Sequence, residues 1–122
     1  MPTQDHMKAA LQAYIDGFAA GDAAAVSALF ADDAEIEDPV GHAPVRGRAA
    51  IDEFYKNAVE IGTKLLLDGP IRGSHGHRAA MAFTVDVPAM SMRIHAIDVM
   101  TFGEDGKIVK MEAFWGPDDI ES

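Results

Sequence analysis

Three side chains in this sequence stand where their chemistry is out of place. In the run Ile-His-Ala-Ile-Asp-Val-Met-Thr-Phe, residues 94–102, strand alternation puts Ile94, Ala96, Asp98, Met100 and Phe102 on one face. Arg93, His95, Ile97, Val99 and Thr101 fall on the other. Asp98 is then an acid among apolar neighbours. A carboxylate there gives up hydration that nothing nearby in sequence replaces, so it must either meet a cation or keep its proton. A neutral carboxylic acid can donate a hydrogen bond. Asp38 repeats the anomaly in Ala-Glu-Ile-Glu-Asp-Pro, where Glu35 and Glu37 share one face and Ala34, Ile36 and Asp38 the other. Tyr14 lies inside an apolar helical stripe, where its hydroxyl needs a partner. Each has a plainer reading beside the chemical one: Tyr14 as a core tyrosine bonded to a backbone carbonyl, Asp38 as a turn residue bonding its own backbone.

The elements that carry these groups can be read from periodicity. Pro2 and Thr3 open a helix in which Met7, Ala10, Leu11, Tyr14, Ile15 and Phe18 recur at three- and four-residue steps, ending at Gly21. Asp22 caps a second, shorter helix through Val26, Leu29 and Phe30, closed by residues 31–33. Residues 34–39 form a strand; Pro39 keeps Asp38 extended and Gly41 lets the chain turn straight afterwards. The spacing predicts a third helix over residues 48–61, burying Ile51, Phe54, Tyr55, Ala58 and Ile61. Strands are predicted at 63–67, 71–73, 78–87, 94–102 and 107–115, with Pro88 breaking the third and Asp105-Gly106 turning into the last. In the third strand Ala79, Met81, Phe83, Val85 and Val87 make an apolar face, and in the last Val109, Met111, Ala113 and Trp115 do.

Three helices followed by mostly antiparallel strands predict an α+β fold, helices packed on one face of a sheet, as a single domain over residues 1–122. The concave face, rich in Met, Phe and Trp with three polar groups set into it, reads as a deep pocket with few polar anchors. Twenty acidic against ten basic residues give a net charge of −10, which repels nucleic acid and anionic lipid. No apolar run approaches the roughly 20 residues of a membrane helix, and no secretory pattern opens the chain. With no cysteine there is no disulfide or thiolate metal site, which suits a cytoplasmic protein. His75 and His77 form an HxH pair in a loop without a matching acid cluster, so no metal is expected; His95 falls on the outward face, in a structural or dimer-contact role. A nucleophile triad fails for want of a cysteine, or of a serine with a base partner.

The chain resembles the bacterial Δ5-3-ketosteroid isomerases of the NTF2-like superfamily over nearly its whole length. The resemblance rests on Ala-Asp-Asp-Ala-Glu-Ile-Glu-Asp-Pro-Val-Gly at 31–41, Ile-Asp-Glu-Phe-Tyr at 51–55, Ala-Ile-Asp-Val-Met-Thr-Phe at 96–102 and Gly-Lys-Ile-Val-Lys-Met at 106–111. It implies a conical α+β unit with a curved sheet around an apolar pocket, working as a homodimer on a small apolar steroid without a cofactor. On it, Asp38 matches the general base, Tyr14 and Asp98 the oxyanion-hole donors, and Tyr55 a phenol supporting Tyr14. Phe54, Phe83 and Trp115 match apolar pocket positions, to which the inward faces add Met81, Met100 and Met111. Phe30 stands where some members carry a further tyrosine. Residues 86–93 follow the family least, with Pro88 and no turn glycine. Two other readings share the cavity: a related NTF2-like enzyme of polyketide cyclase or epoxide hydrolase type, and a binding module without chemistry. Epoxide opening in that superfamily is expected to use an Asp-Arg-Asp set, and no arginine has inward parity beside Asp98.

Overall fold

The computed structural model describes residues 2–121. Helix α1 (Gln4–Ala19) starts where the Thr3 hydroxyl accepts the His6 N–H at 3.0 Å, with Asp5 in its first turn complementing the helix dipole. Its stripe from Met7 to Phe18 is buried, Tyr14 included. Asp22 caps α2 (Ala23–Ser27) through the Ala25 N–H at 3.0 Å. That helix is shorter than its pattern predicts. The Arg48 guanidinium takes the carbonyls of Ser27 and Phe30, and the Ile108 N–H takes that of Leu29 at 2.9 Å. The chain is therefore extended from Phe30, and residues 31–33 belong to strand β1 (Phe30–Glu37) rather than to a helix end. Sheet pairing has overridden local helix propensity.

A short strand β2 (Val45–Arg46), which the sequence did not signal, pairs with β1, and Arg46 reaches Glu35 at 3.3 Å. Helix α3 (Arg48–Glu60) buries Ile51 and Tyr55 and half-buries Phe54 and Ala58; Ile61, expected inside, lies beyond its end and is exposed. Then come β3 (Lys64–Leu67), β4 (Arg78–Val87), β5 (Met92–Phe102), β6 (Ile108–Phe114) and β7 (Ile120–Glu121), in the spatial order β2-β1-β6-β5-β4-β3 with β7 on β5. The neighbours are antiparallel except β1 and β6, which run parallel. Residues 71–73 give only one bridge, Arg72 to Ala80, instead of the expected strand.

The β4–β5 hairpin, in register from Arg78↔Thr101 to Val87↔Met92, carries the alternation that sets the site. Its turn, Pro88–Met90, closes on Ser91 in the left-handed conformation, φ 50°, where a glycine would be expected. Between β5 and β6 the partners step from Thr101↔Lys110 to Phe102↔Ile108, a bulge at Val109. Ile108 thus fills the core, and Val109, expected inward, is only half-buried; alternation resumes correctly at Met111 and Ala113. The core lies between the helices and the inner sheet face, with Leu11, Ile36, Ile51, Met100 and Ile108 wholly enclosed. Each such side chain stabilises by about 1.5–3 kcal/mol over its exposed state. Among the described residues no helix is long and apolar enough to cross a membrane.

Candidate active site

Three elements converge on the pocket floor. Helix α1 brings Tyr14, α3 brings Tyr55, and the middle of β5 brings Asp98 between Met81 of β4 and Ala113 of β6. The Tyr14 and Tyr55 hydroxyls lie 3.1 Å apart, and the Met111 sulfur is 3.6 Å from the first and 3.5 Å from the second. Tyr55 is held by edge contacts with Phe54 and Phe18, ring centroids 5.0 and 5.9 Å away, and by Phe30 at 5.4 Å. Phe30 has no hydroxyl to offer, so it does not extend the pair of phenols into a longer chain.

Asp98 is 1 % exposed, and neither of its carboxyl oxygens has a hydrogen-bond partner among the described residues. Burial pushes this carboxyl well above the usual carboxylate range, and the negative charge of Asp38 adds to the effect. This favours the protonated form, and a protonated carboxyl can donate a hydrogen bond. Burial likewise raises both phenols well above the ordinary tyrosine range.

The mouth is built differently. Past β1 the Val40 N–H bonds the Ala113 carbonyl at 2.9 Å, and Gly41 turns the chain at φ 106°. This fastens Asp38 beside the end of β6, where the Trp115 indole N–H donates to its Oδ1 at 2.8 Å. Asp38 is open to solvent but flanked by enough protein that desolvation raises its pKa from the usual value. The Trp115 hydrogen bond and the nearby His42 pull the other way, favouring the ionised form.

Tyr14, Tyr55, Asp38 and Asp98 all line one cavity of about 140 Å³. Phe54, Phe83 and Trp115 line it too. Met81, Met100 and Met111 do not: they face inward as parity requires, but are spent on the core, 2 % exposed or less. Phe18, Ala58, Thr63, Leu65, Val85, Ala96 and Ala113 complete the wall. Parity already held Val85, Ala96 and Ala113, and Phe18 is one turn beyond Tyr14; Thr63 had no signal.

Outside the cavity, His77 pairs with Glu104 at 3.1 Å. No three His, Cys, Asp or Glu side chains among the described residues could hold a metal ion together. His95 is exposed on the outer face, its Nδ1 3.2 Å from the Thr84 hydroxyl and its Nε2 against Glu121. The cavity wall therefore joins an exposed carboxylate, a buried acid and two buried phenols among apolar side chains, and among the described residues it holds no arginine.

Residues 11–111 match the SnoaL-like domain family. The chain is 47% identical over 118 residues to a steroid Δ-isomerase of Nocardioides simplex, covering 93% of each protein. It is 31% identical to the epoxide hydrolase LasB of Streptomyces lasalocidi, over 98% of this chain but 44% of that one. Among solved structures it superposes on SalBIII, an epoxide hydrolase/cyclase-like enzyme described for pyran ring formation in the polyether salinomycin, with a TM-score of 0.88, 31% identity and 98% of each chain covered. The fold and the extent of these matches place the chain in the SnoaL-like family and, within it, among the bacterial ketosteroid isomerases.

Proposed function

We propose that the protein isomerises 3-oxo-Δ5-steroids to their 3-oxo-Δ4 forms by moving one proton within the substrate. The observation that carries this reading is Asp98, a buried acid with no hydrogen-bond partner among the described residues, lining the same cavity as a phenol pair and an ionisable Asp38. Asp38, ionised, takes a proton from carbon 4 and returns it to carbon 6 on the same face of the ring system, so one carboxylate serves both steps. Between them a dienolate carries negative charge on oxygen 3. Tyr14 and protonated Asp98 donate to that oxygen where water is excluded, in positions fixed before the charge appears. Tyr55 supports Tyr14. The phenylalanines and Trp115 cover the rings, and neither step calls for a cofactor. Incubation with 5-androstene-3,17-dione should produce the ultraviolet absorbance of a conjugated enone. Tight steroid binding without that absorbance would reject the isomerase reading in favour of a passive binding module. The epoxide hydrolase alternative is disfavoured by a pocket lining that, among the described residues, lacks the arginine such chemistry is expected to need.

The same reading includes a homodimer in the cytoplasm, the compartment that a chain without cysteine suits. Leu66, Ile97 and Phe114 are 45–49% exposed on the outer sheet face, with Ile97 and Phe114 paired across β5 and β6. Such a patch is suited to a second copy. Sedimentation should give a dimer, and Ile97→Asp a monomer; a monomeric wild type would overturn this part.

A further inference from the structure

The two phenols carry two hydroxyl protons, and their mutual contact uses one. The only further acceptor that either hydroxyl reaches among the described residues is the Met111 sulfur, 3.6 Å from Tyr14 and 3.5 Å from Tyr55. All three side chains are 4 % exposed or less, with the two tyrosines on the cavity wall and Met111 packed behind them. Two arrangements satisfy both protons. In one, Tyr14 donates to Tyr55 and Tyr55 to sulfur, which leaves Tyr14 no proton for a ligand. In the other, Tyr55 donates to Tyr14 and Tyr14 to sulfur. A thioether is a weak acceptor, so this second bond is easily given up. The bond from Tyr55 persists when that happens and polarises Tyr14 as a donor.

We propose that Met111 is a positioning residue, whose thioether keeps the Tyr14 hydroxyl satisfied in the empty pocket yet yields it to an arriving oxyanion. The inference rests on Tyr14 being a donor to substrate oxygen. Its signature is two opposite effects at one position. Met111→Leu removes the competing acceptor at similar volume and makes the empty site less satisfied, whereas Met111→Gln supplies a stronger acceptor that holds the hydroxyl back. A side chain that mattered only for packing would weaken binding in both.

The test is the affinity for 2-naphthol, followed by its fluorescence at neutral pH. Met111→Leu should bind it about two- to tenfold more tightly, the range of one modest hydrogen bond, and Met111→Gln less tightly by a similar or larger factor. In a Tyr14→Phe background the effect of Met111→Leu should vanish. If Met111→Gln does not fold, the leucine variant and its double mutant still decide. Weaker binding in Met111→Leu, or a leucine effect that survives loss of the Tyr14 hydroxyl, overturns the proposal. Equal affinity in wild type and Tyr14→Phe would overturn the reading of Tyr14 itself, and the role of Met111 with it.

Discussion

The floor and the mouth of the cavity hold the same functional group in opposite surroundings. Asp98 sits in a strand centre, flanked by Met81 and Ala113, with no hydrogen-bond partner among the described residues; Asp38 sits at a strand end, open to solvent and bonded by Trp115. Burial raises both, but at the floor nothing opposes it, while at the mouth an indole N–H and a histidine do. In the proposed mechanism two aspartates in one pocket serve as an acid and a base, according to how much polar company each is given.

Substitutions at the two ends test that contrast. Asp38→Asn should lower kcat by about 10²- to 10⁴-fold, the usual worth of a general base, while an enolate-like phenol still binds. Full activity in this variant would remove the mouth from the chemistry. At the floor, Tyr14→Phe should cost about 10²- to 10³-fold in kcat, the loss expected for one oxyanion donor. Asp98→Leu should weaken both turnover and phenol binding, and Asp98→Asn should retain more of each, because an amide N–H can still donate. Equal losses in the leucine and asparagine variants would mean that donation by residue 98 is not what matters.

Smaller effects lie in pH dependence. The Trp115 indole favours ionised Asp38, so Trp115→Phe should raise the pKa of the base and move the rising limb of kcat/KM to higher pH. A limb that stays in place would separate Trp115 from the base. For Asp98 the effect is on stability. Its folded pKa is raised, so the native state holds a proton that the unfolded chain releases above the ordinary carboxylate range of about 4. Stability from this group is therefore complete below that range and is lost as pH rises toward the folded value, at no more than about 1.4 kcal/mol per pH unit. Asp98→Asn should flatten this decline in denaturation measured at pH 5 and pH 8.

The contrast between the two ends also marks what was legible in the sequence. Parity along residues 94–102 placed Asp98 inward without reference to any other part of the chain, because a long two-sided strand enforces its own alternation. The third helix and the β4 strand were legible for the same reason: long, regular patterns. The roles of Asp38, Tyr14 and Asp98 came from the family resemblance, not from parity. What periodicity missed was decided by distant partners. Arg48 and Ile108 end α2 early, and the bulge at Val109 shifts Ile108 into the core. The methionines show the limit most clearly. An inward side chain can meet the cavity or the packed core beneath it, and alternation alone does not separate the two.

Gly17 lies one turn beyond Tyr14, where α1 crosses α2. A Cβ there would stand 2.6 Å from Cγ2 of Val26, which is fully buried and, being β-branched, has little freedom to swing aside. Alanine would improve the intrinsic helix propensity at this site by about 1 kcal/mol, so a thermostability screen guided by local preference would select it. The added methyl would wedge the two helices apart and carry the phenolic oxygen of Tyr14 off its aim. A single hydrogen atom at Gly17, on the same face of the helix as Tyr14, thus works as the shim that sets the depth of that phenol, and the helix propensity gained by alanine would be outweighed by the crowding it brings.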